Sequence, residues 1–252
     1  MPVASGTLSP QALWDRLSLR RDDRALLTGG TRSGKSTLGD YLGMDFTRRY
    51  ARLEARRMIL DSKPRFRAQW LPNGRSAKHI YKNWSHGEYV PDSVLIDDPR
   101  QLKGAWSTGH RTVIVQDRYG GNVPLQTACL QQFLNESRHR RPQLAHVDEA
   151  LDFFHGNGQP RGGDTILRLP RAGAERGTAS LFCSQRTKGF NPALLELINV
   201  LYAFRLDFDA DARRFQEFGC PPFLLPTEDH EFMFWSKAQD RHHVYGPYSL
   251  SL

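Results

Sequence analysis

The sequence predicts an α/β fold, a mostly parallel central sheet with helices on both faces and a site at the C-terminal ends of its strands. Three observations carry that expectation. The apolar run Ala25-Leu26-Leu27 passes into the glycine-rich stretch Gly29-Gly30-Thr31-Arg32-Ser33-Gly34-Lys35-Ser36-Thr37 and then into Leu38-Gly39-Asp40-Tyr41-Leu42, a strand, a loop and a helix in succession. Further β-rich runs stand at 57–61, 93–97, 112–115, 143–149 and 178–183, separated by helical patterns and turn residues. At 252 residues and 39% hydrophobic, the chain is long enough to bury one substantial core.

The glycine-rich stretch reads as a P-loop. Gly29 and Gly34 let the backbone curl tightly, so that successive N–H groups can face a phosphate chain. Lys35 is expected to reach the β- and γ-phosphates as a point charge, and the Ser36 hydroxyl to bind Mg²⁺. The start of the following helix adds its positive dipole end. ATP and Mg²⁺ are therefore the expected ligands, with Gly29, Gly30, Thr31, Arg32, Ser33, Gly34, Lys35, Ser36 and Thr37 forming the nucleotide-binding segment.

A second motif supplies what hydrolysis needs. Gln143-Leu144-Ala145-His146-Val147-Asp148-Glu149 is a mostly apolar strand ending in adjacent acids, the Walker B arrangement. Asp148 would hold Mg²⁺ through its water shell and Glu149 would polarise the attacking water. His146 is read as a strand residue with a satisfied partner. The run Thr178-Ala179-Ser180-Leu181-Phe182-Cys183 ends in Ser184-Gln185-Arg186, where Gln185 is placed to sense the γ-phosphate.

Charge and cysteine usage narrow the setting. The net charge of +8 and pI of about 9.6, with arginine the main cation, favour a polyanionic partner, because guanidinium groups fork onto phosphate. Cys129, Cys183 and Cys220 stand singly, without metal-ligand spacing or a disulfide framework, which suits a reducing compartment. No apolar run approaches the ~18 residues of a spanning helix, and residues 1–19 lack the basic-then-apolar order of a signal peptide. The chain is expected to be soluble and intracellular.

The remaining segments divide the chain into a leader at 1–23, a main domain at 24–219 and a closing tail at 220–252. Ser9-Pro10 starts the leader helix, with Leu13, Trp14 and Leu17 on one face. Within the main domain, 63–87 is an excursion in which Lys63, Arg65, Arg67, Arg75, Lys78 and Lys82 alternate with Phe66, Trp70, Tyr81 and Trp84. That mixture suits either backbone neutralisation with base stacking or aromatics packed on the sheet beneath solvated charges. Leu125, Cys129, Leu130, Phe133 and Leu134 have helical spacing, with basic residues gathering at the C-terminal end. Residues 155–163 are expected to be a mobile loop, and the helix through Ile166, Leu167 and Leu169 to be interrupted at Pro170. Asn191-Pro192 starts a further helix, 200–208 reads as an edge strand, Asp209 caps a helix, and 232–235 with 243–245 form a hairpin.

In order, these motifs are the P-loop, a strand ending Asp61-Ser62-Lys63, the Asp148-Glu149 strand, an arginine-bearing segment from Arg171 to Gly177, the Ser184-Gln185-Arg186 strand end, and Phe204-Arg205-Leu206. The order resembles the FtsK/HerA superfamily of DNA-pumping ATPases over roughly 24–219. The short single-domain length is similar to the genome-packaging ATPases of tailless, internal-membrane bacterial and archaeal viruses. The resemblance implies an ASCE, RecA-like P-loop NTPase that hydrolyses ATP to move double-stranded DNA. It implies a homo-oligomeric ring, pentamer or hexamer, with ATP between neighbours and Arg176 as a trans-acting finger, Arg171 being the other candidate. A capsid vertex or portal protein is a further implied partner, and a place in host cytoplasm or at the packaging vertex of a virion follows. Alternatives from the residues alone are a small-molecule, nucleoside-type kinase, a nucleotide-gated switch, and a cellular or plasmid-borne DNA pump. Glu149 disfavours the switch, which has less need of a water-activating acid.

Overall fold

The computed structural model describes residues 15, 17–61, 69–70, 93–116, 122–136, 141–155, 157–161, 163–206, 209–217, 226, 230–238 and 241–245. The leader helix and the basic-aromatic excursion lie outside them, apart from Asp15, residues 17–23 and the strand Gln69–Trp70.

The strands are β1 (Arg24–Thr28), β2 (Arg56–Leu60), β3 (Gln69–Trp70), β4 (Ser93–Ile96), β5 (Thr112–Val115), β6 (Gln143–Val147), β7 (Thr178–Ser184), β8 (Val200–Phe204), β9 (Phe232–Ser236) and β10 (Arg241–Tyr245). They form one sheet in the order β10-β9-β8-β1-β7-β6-β2-β5-β4-β3. From β8 to β3 every pairing is parallel, whereas β8–β9 and β9–β10 are antiparallel. The central strands are near-continuous apolar runs because both of their faces are covered.

The principal helices are α1 (Lys35–Arg49), α2 (Gln101–Ser107), α3 (Val123–Glu136), α4 (Thr165–Glu175), α5 (Pro192–Leu195) and α6 (Asp209–Glu217). Strand alternation sends side chains to two cores. Leu27 of β1, Leu144 of β6 and Leu181 of β7 meet Leu38, Leu42 and Phe46 of α1 on one face. On the other face Leu26, Met58, Val147 and Phe182 pack with Leu130 and Phe133 of α3 and Leu169 of α4. Asn191 caps α5, its side chain accepting from Ala193 N–H, with Pro192 at the first helical position.

Three segments differ from the sequence expectation. β8 is not an edge strand: it pairs with β1 on one side and β9 on the other, since the closing hairpin covers its outer edge. All five of its residues are buried accordingly. Pro170 does not interrupt its helix, because α4 packs along β7 and α3 and those contacts carry it through the missing hydrogen bond. The described residues within 155–163 are tied down by hydrogen bonds. Phe154 bridges Pro160, His155 N–H donates to Gln159 O at 2.7 Å, Arg161 N–H to Phe153 O at 2.7 Å, and the Asn191 amide to Gly158 O at 3.2 Å.

Candidate nucleotide-binding site

The sheet order decides what meets at its C-terminal edge. β7 lies between β1, which leads into the glycine-rich loop, and β6, which ends before Asp148 and Glu149. Thr28 is in register with Ser184, so the loop begins beside Gln185. Thr31 Oγ1 donates to Gln185 Oε1 at 3.4 Å across the gap.

Two glycines of the loop are required by geometry. Gly29 has φ 152°, and a Cβ there would lie 2.5 Å from Phe204 Cβ and 3.3 Å from the Arg205 carbonyl oxygen. Gly34 has φ 100°, and its Cβ would meet His230 Nδ1 at 3.2 Å. Gly30 N–H donates to Arg205 O at 2.9 Å, which anchors the loop to the end of β8. α1 starts directly after Gly34, which offers no side chain to its first N–H groups and so leaves them to an anion. Lys35 Nζ folds back over the loop, donating to the carbonyls of Gly29 at 2.8 Å and Gly30 at 2.6 Å. Ser33 Oγ is buried inside the turn with no hydrogen-bond partner. A loop with a buried unsatisfied hydroxyl, glycines at its tightest points and a helix N-terminus above it fits a phosphate group.

At the neighbouring strand ends, Asp148 is buried and Glu149 half-buried. Asp148 N–H donates to Leu60 O at 3.1 Å, continuing the ladder past the strand. The single Ser184 hydroxyl proton has two acceptors within reach, Glu149 Oε1 at 3.1 Å and Arg186 O at 2.8 Å; donated to Glu149, it orients the carboxylate from the tip of β7. The Ser36 hydroxyl and the Asp148 carboxylate are hard oxygen donors of the kind Mg²⁺ takes in small number alongside phosphate and water. Among the described residues no group of three or more His, Cys, Asp or Glu is arranged to hold a metal by itself.

The arginines are elsewhere. Arg176 precedes the first residue of β7, so a seven-residue strand, roughly 20–25 Å, separates it from Gln185. Its Nη1 donates to Leu134 O at 3.1 Å at the end of α3. Arg171 is exposed on α4. Arg176 does not reach the loop within the chain. Ser184, Phe204, Arg205 and His230 shape the site without having been singled out as site residues. Ser184 is the residue next to Gln185, but its contact with Glu149 joins positions 35 residues apart that no local pattern connects.

On the side of the sheet facing α1, a buried polar chain runs beneath this edge. Arg57 Nη2 donates to Asp40 Oδ1 at 3.1 Å and to His146 Nδ1 at 2.7 Å. A guanidinium only donates, so Nδ1 must accept; the imidazole is then neutral, with its proton on Nε2 directed at Cys183 Sγ, 3.3 Å away. His146 is thus a strand residue with satisfied partners, as its sequence position suggested.

At the opposite edge of the sheet, a cleft of about 650 Å³ is lined by Arg56, Lys103, Trp106 and Arg141 among others. Burial, helped by the charge of Arg141, lowers the Arg56 guanidinium to about 10, and it lies 4.8 Å from the Trp106 ring centroid. None of the residues expected to act on a nucleotide lines it.

A P-loop strand, a parallel neighbour inserted between it and the acid-bearing strand, and glycines at the turn define the class. The fold is that of a P-loop NTPase. Solved structures share it. The genome-packaging NTPase from Sulfolobus turreted icosahedral virus 2 in complex with AMP is similar at 16% identity and TM-score 0.63, covering 91% of this chain and 100% of that one. The DNA-packaging ATPase from Sulfolobus turreted icosahedral virus is similar at 15% identity and TM-score 0.56, covering 91% and 100%. ATPases 2 and 3 of EssC from Geobacillus thermodenitrificans give 12% identity and TM-score 0.51, covering 90% of this chain and 40% of that one. At such identities the likeness is one of fold. No protein-family model and no curated protein matches the chain. Among the described residues no helix is long and apolar enough to cross a membrane.

Proposed function

We propose that the chain is an ATP-hydrolysing double-stranded DNA translocase that works as a ring of identical subunits in viral genome packaging. The observation that carries this reading is the convergence of the Gly29-to-Thr37 loop, Glu149 and Gln185 at one sheet edge, with β7 inserted between the two halves. A nucleotide-gated switch has less need of an acid at Glu149, and a phosphate-transferring kinase is separated from this reading by the assay below. The likeness in fold, over 91% of this chain, to the Sulfolobus turreted icosahedral virus 2 packaging NTPase, solved in complex with AMPPCP and with ATP-gammaS, supports ATP as substrate and packaging as the setting.

In this mechanism the loop N–H groups and Lys35 bind the β- and γ-phosphates, Lys35 exchanging its contacts with Gly29 and Gly30 for phosphate oxygens. Glu149, oriented by Ser184, polarises the attacking water. Gln185, in contact with Thr31, registers whether the γ-phosphate is present. Ser36 and Asp148 would hold Mg²⁺, which when bound offsets negative charge on the phosphate oxygens. Arg176, remote from its own loop, would act on the nucleotide of the next subunit, with Arg171 as the alternative; such a finger is worth ~10³–10⁵ in rate, so turnover would depend on assembly. Positioning and charge neutralisation supply the catalysis. A capsid vertex or portal protein would dock the ring, in host cytoplasm or at the virion's packaging vertex.

ATPase rate measured against protein concentration, with and without duplex DNA, tests the reading. Specific activity that rises with concentration and is stimulated by DNA is expected. Phosphate transfer to a nucleoside by a monomer, indifferent to DNA, would replace it with the kinase.

A further inference from the structure

We propose that Arg57 is a positioning residue: the buried Asp40–Arg57–His146 chain sets the separation of Ser36 from Asp148, and through it the affinity of the nucleotide-loaded site for a small divalent cation. The inference rests on the assignment above of Ser36 and Asp148 as the cation's protein donors.

The placement of the chain is what matters. Asp40 lies four residues beyond Ser36 on α1, hence on the same helix face and about 6 Å further along the axis. His146 lies two residues before Asp148, hence on the same face of the extended chain and about 6–7 Å back from it. The two displacements match. A single guanidinium nitrogen, Arg57 Nη2, ties Asp40 to His146 at 3.1 and 2.7 Å, one helical turn beneath the two donors. His146 is held in turn by Cys183 of β7, two residues before Gln185.

Cohesion alone does not account for this arrangement. Leu38, Leu42 and Phe46 already bind α1 to the sheet. Arg57 and Asp40 are 2% and 1% exposed, and a buried ion pair is commonly no more stabilising than well-packed apolar side chains of similar volume. α1 also carries glycine at two positions that admit the network. A Cβ on Gly43 would lie 2.2 Å from Arg57 Cζ, and one on Gly39 would lie 3.3 Å from two atoms of the His146 ring. Each helical glycine lowers helix propensity relative to alanine. What a planar, doubly bonded guanidinium adds is a fixed distance between helix and strand. Mg²⁺ is the cation to which such a distance matters, since it demands near-octahedral oxygen geometry at about 2.0–2.1 Å, whereas Ca²⁺ accepts about 2.3–2.6 Å and irregular shells.

The test uses the full chain loaded with a non-hydrolysable ATP analogue and reads Mn²⁺ binding by electron paramagnetic resonance, with Mg²⁺ and Ca²⁺ as competitors. The variants are Arg57→Met with Asp40→Asn, which leaves no unpaired charge, His146→Leu, which removes the acceptor, and His146→Asn, whose carboxamide oxygen can still accept from Arg57. The first two are expected to weaken Mn²⁺ and Mg²⁺ about 10–100-fold, as loss of outer-sphere support does, with Ca²⁺ and metal-free nucleotide affinity unchanged. His146→Asn is expected to behave as wild type. Unchanged Mn²⁺ affinity in a variant that melts cooperatively would overturn the inference. So would a parallel loss of Mn²⁺, Ca²⁺ and nucleotide binding with a lowered melting temperature, which marks a purely structural role. A wild-type chain that binds no nucleotide, or binds it without coupling to Mn²⁺, would refute the functional reading instead.

Discussion

Gly43→Ala offers a direct measure of how firmly the buried guanidinium is held. On helix propensity alone the substitution should stabilise α1 by about 1 kcal/mol. The added methyl, however, would sit 2.2 Å from Arg57 Cζ, 2.4 Å from Nε and 2.5 Å from Nη2. At a protein surface an arginine tip would swing aside at little cost. Here it is 2% exposed and bonded to both Asp40 and His146, so displacement breaks a buried charge pair, a loss of about 3–5 kcal/mol. The difference is a net destabilisation of about 2–4 kcal/mol. Gly104→Ala is the control: it is also helical, in α2, and an added Cβ meets nothing within 4 Å, so a gain of up to about 1 kcal/mol is expected. Urea unfolding of both variants and wild type under one set of conditions reads the two signs. If Gly43→Ala were as stable as wild type while Gly104→Ala gained, the guanidinium would be free to move and could not serve as a spacer.

Three further outcomes are expected. Glu149→Gln should bind ATP as wild type does while single-turnover hydrolysis falls ~10²–10⁴-fold; normal turnover would place the base elsewhere. Arg176→Ala subunits and Glu149→Gln subunits, each inactive alone, should recover activity when mixed, because some interfaces then hold both intact residues; no recovery at any ratio counts against a trans finger. Burial, with the nearby charges of Asp98 and Asp97, pushes the Cys129 thiol up to about 12 from an ordinary 9.0. The folded chain therefore keeps this thiol protonated where the unfolded chain ionises it. Stability contributed by Cys129 should fall as pH rises past 9.0, and Cys129 in a Cys183→Ser, Cys220→Ser variant should resist a disulfide reagent at pH 8; rapid labelling of that folded variant would contradict the burial of Cys129.

Which parts of the molecule were legible in the sequence follows from the range of the forces involved. The loop from Gly29 to Thr37 is set by local backbone geometry, so spacing of glycines reveals it. The runs at 112–115 and 143–147 are buried on both faces, so their apolar continuity reveals them as β5 and β6. Arg57 was read only as the first residue of a buried strand, because its partners come from α1 and β6, 17 and 89 residues away. The position of β8 depends on a hairpin that arrives after it in the chain, so 200–208 taken alone resembled an edge. The segment 155–163 has the composition of a free loop, yet Asn191 and the Phe154–Pro160 bridge tie it down. In each of these cases a long-range contact overrode a local pattern.

β7 is the element through which the two halves of the site are joined. It is buried along its whole length and hydrogen-bonded on both sides, so it cannot bend appreciably without disrupting both β1 and β6. At its C-terminal tip the adjacent residues Ser184 and Gln185 contact Glu149 and Thr31, one on each side, so a movement of either partner is felt by the other through a single peptide unit. Its N-terminal end is preceded by Arg176. If Arg176 acts on the nucleotide of the next subunit, a rigid strand places that action at a fixed distance from the hydrolytic residues of its own subunit, and hydrolysis in one site could move the finger of another without any intervening hinge. If subunit mixing gives no recovery, the contact of Arg176 with the Leu134 carbonyl becomes its sufficient explanation: a cation satisfying the last turn of α3, where the helix dipole favours positive charge.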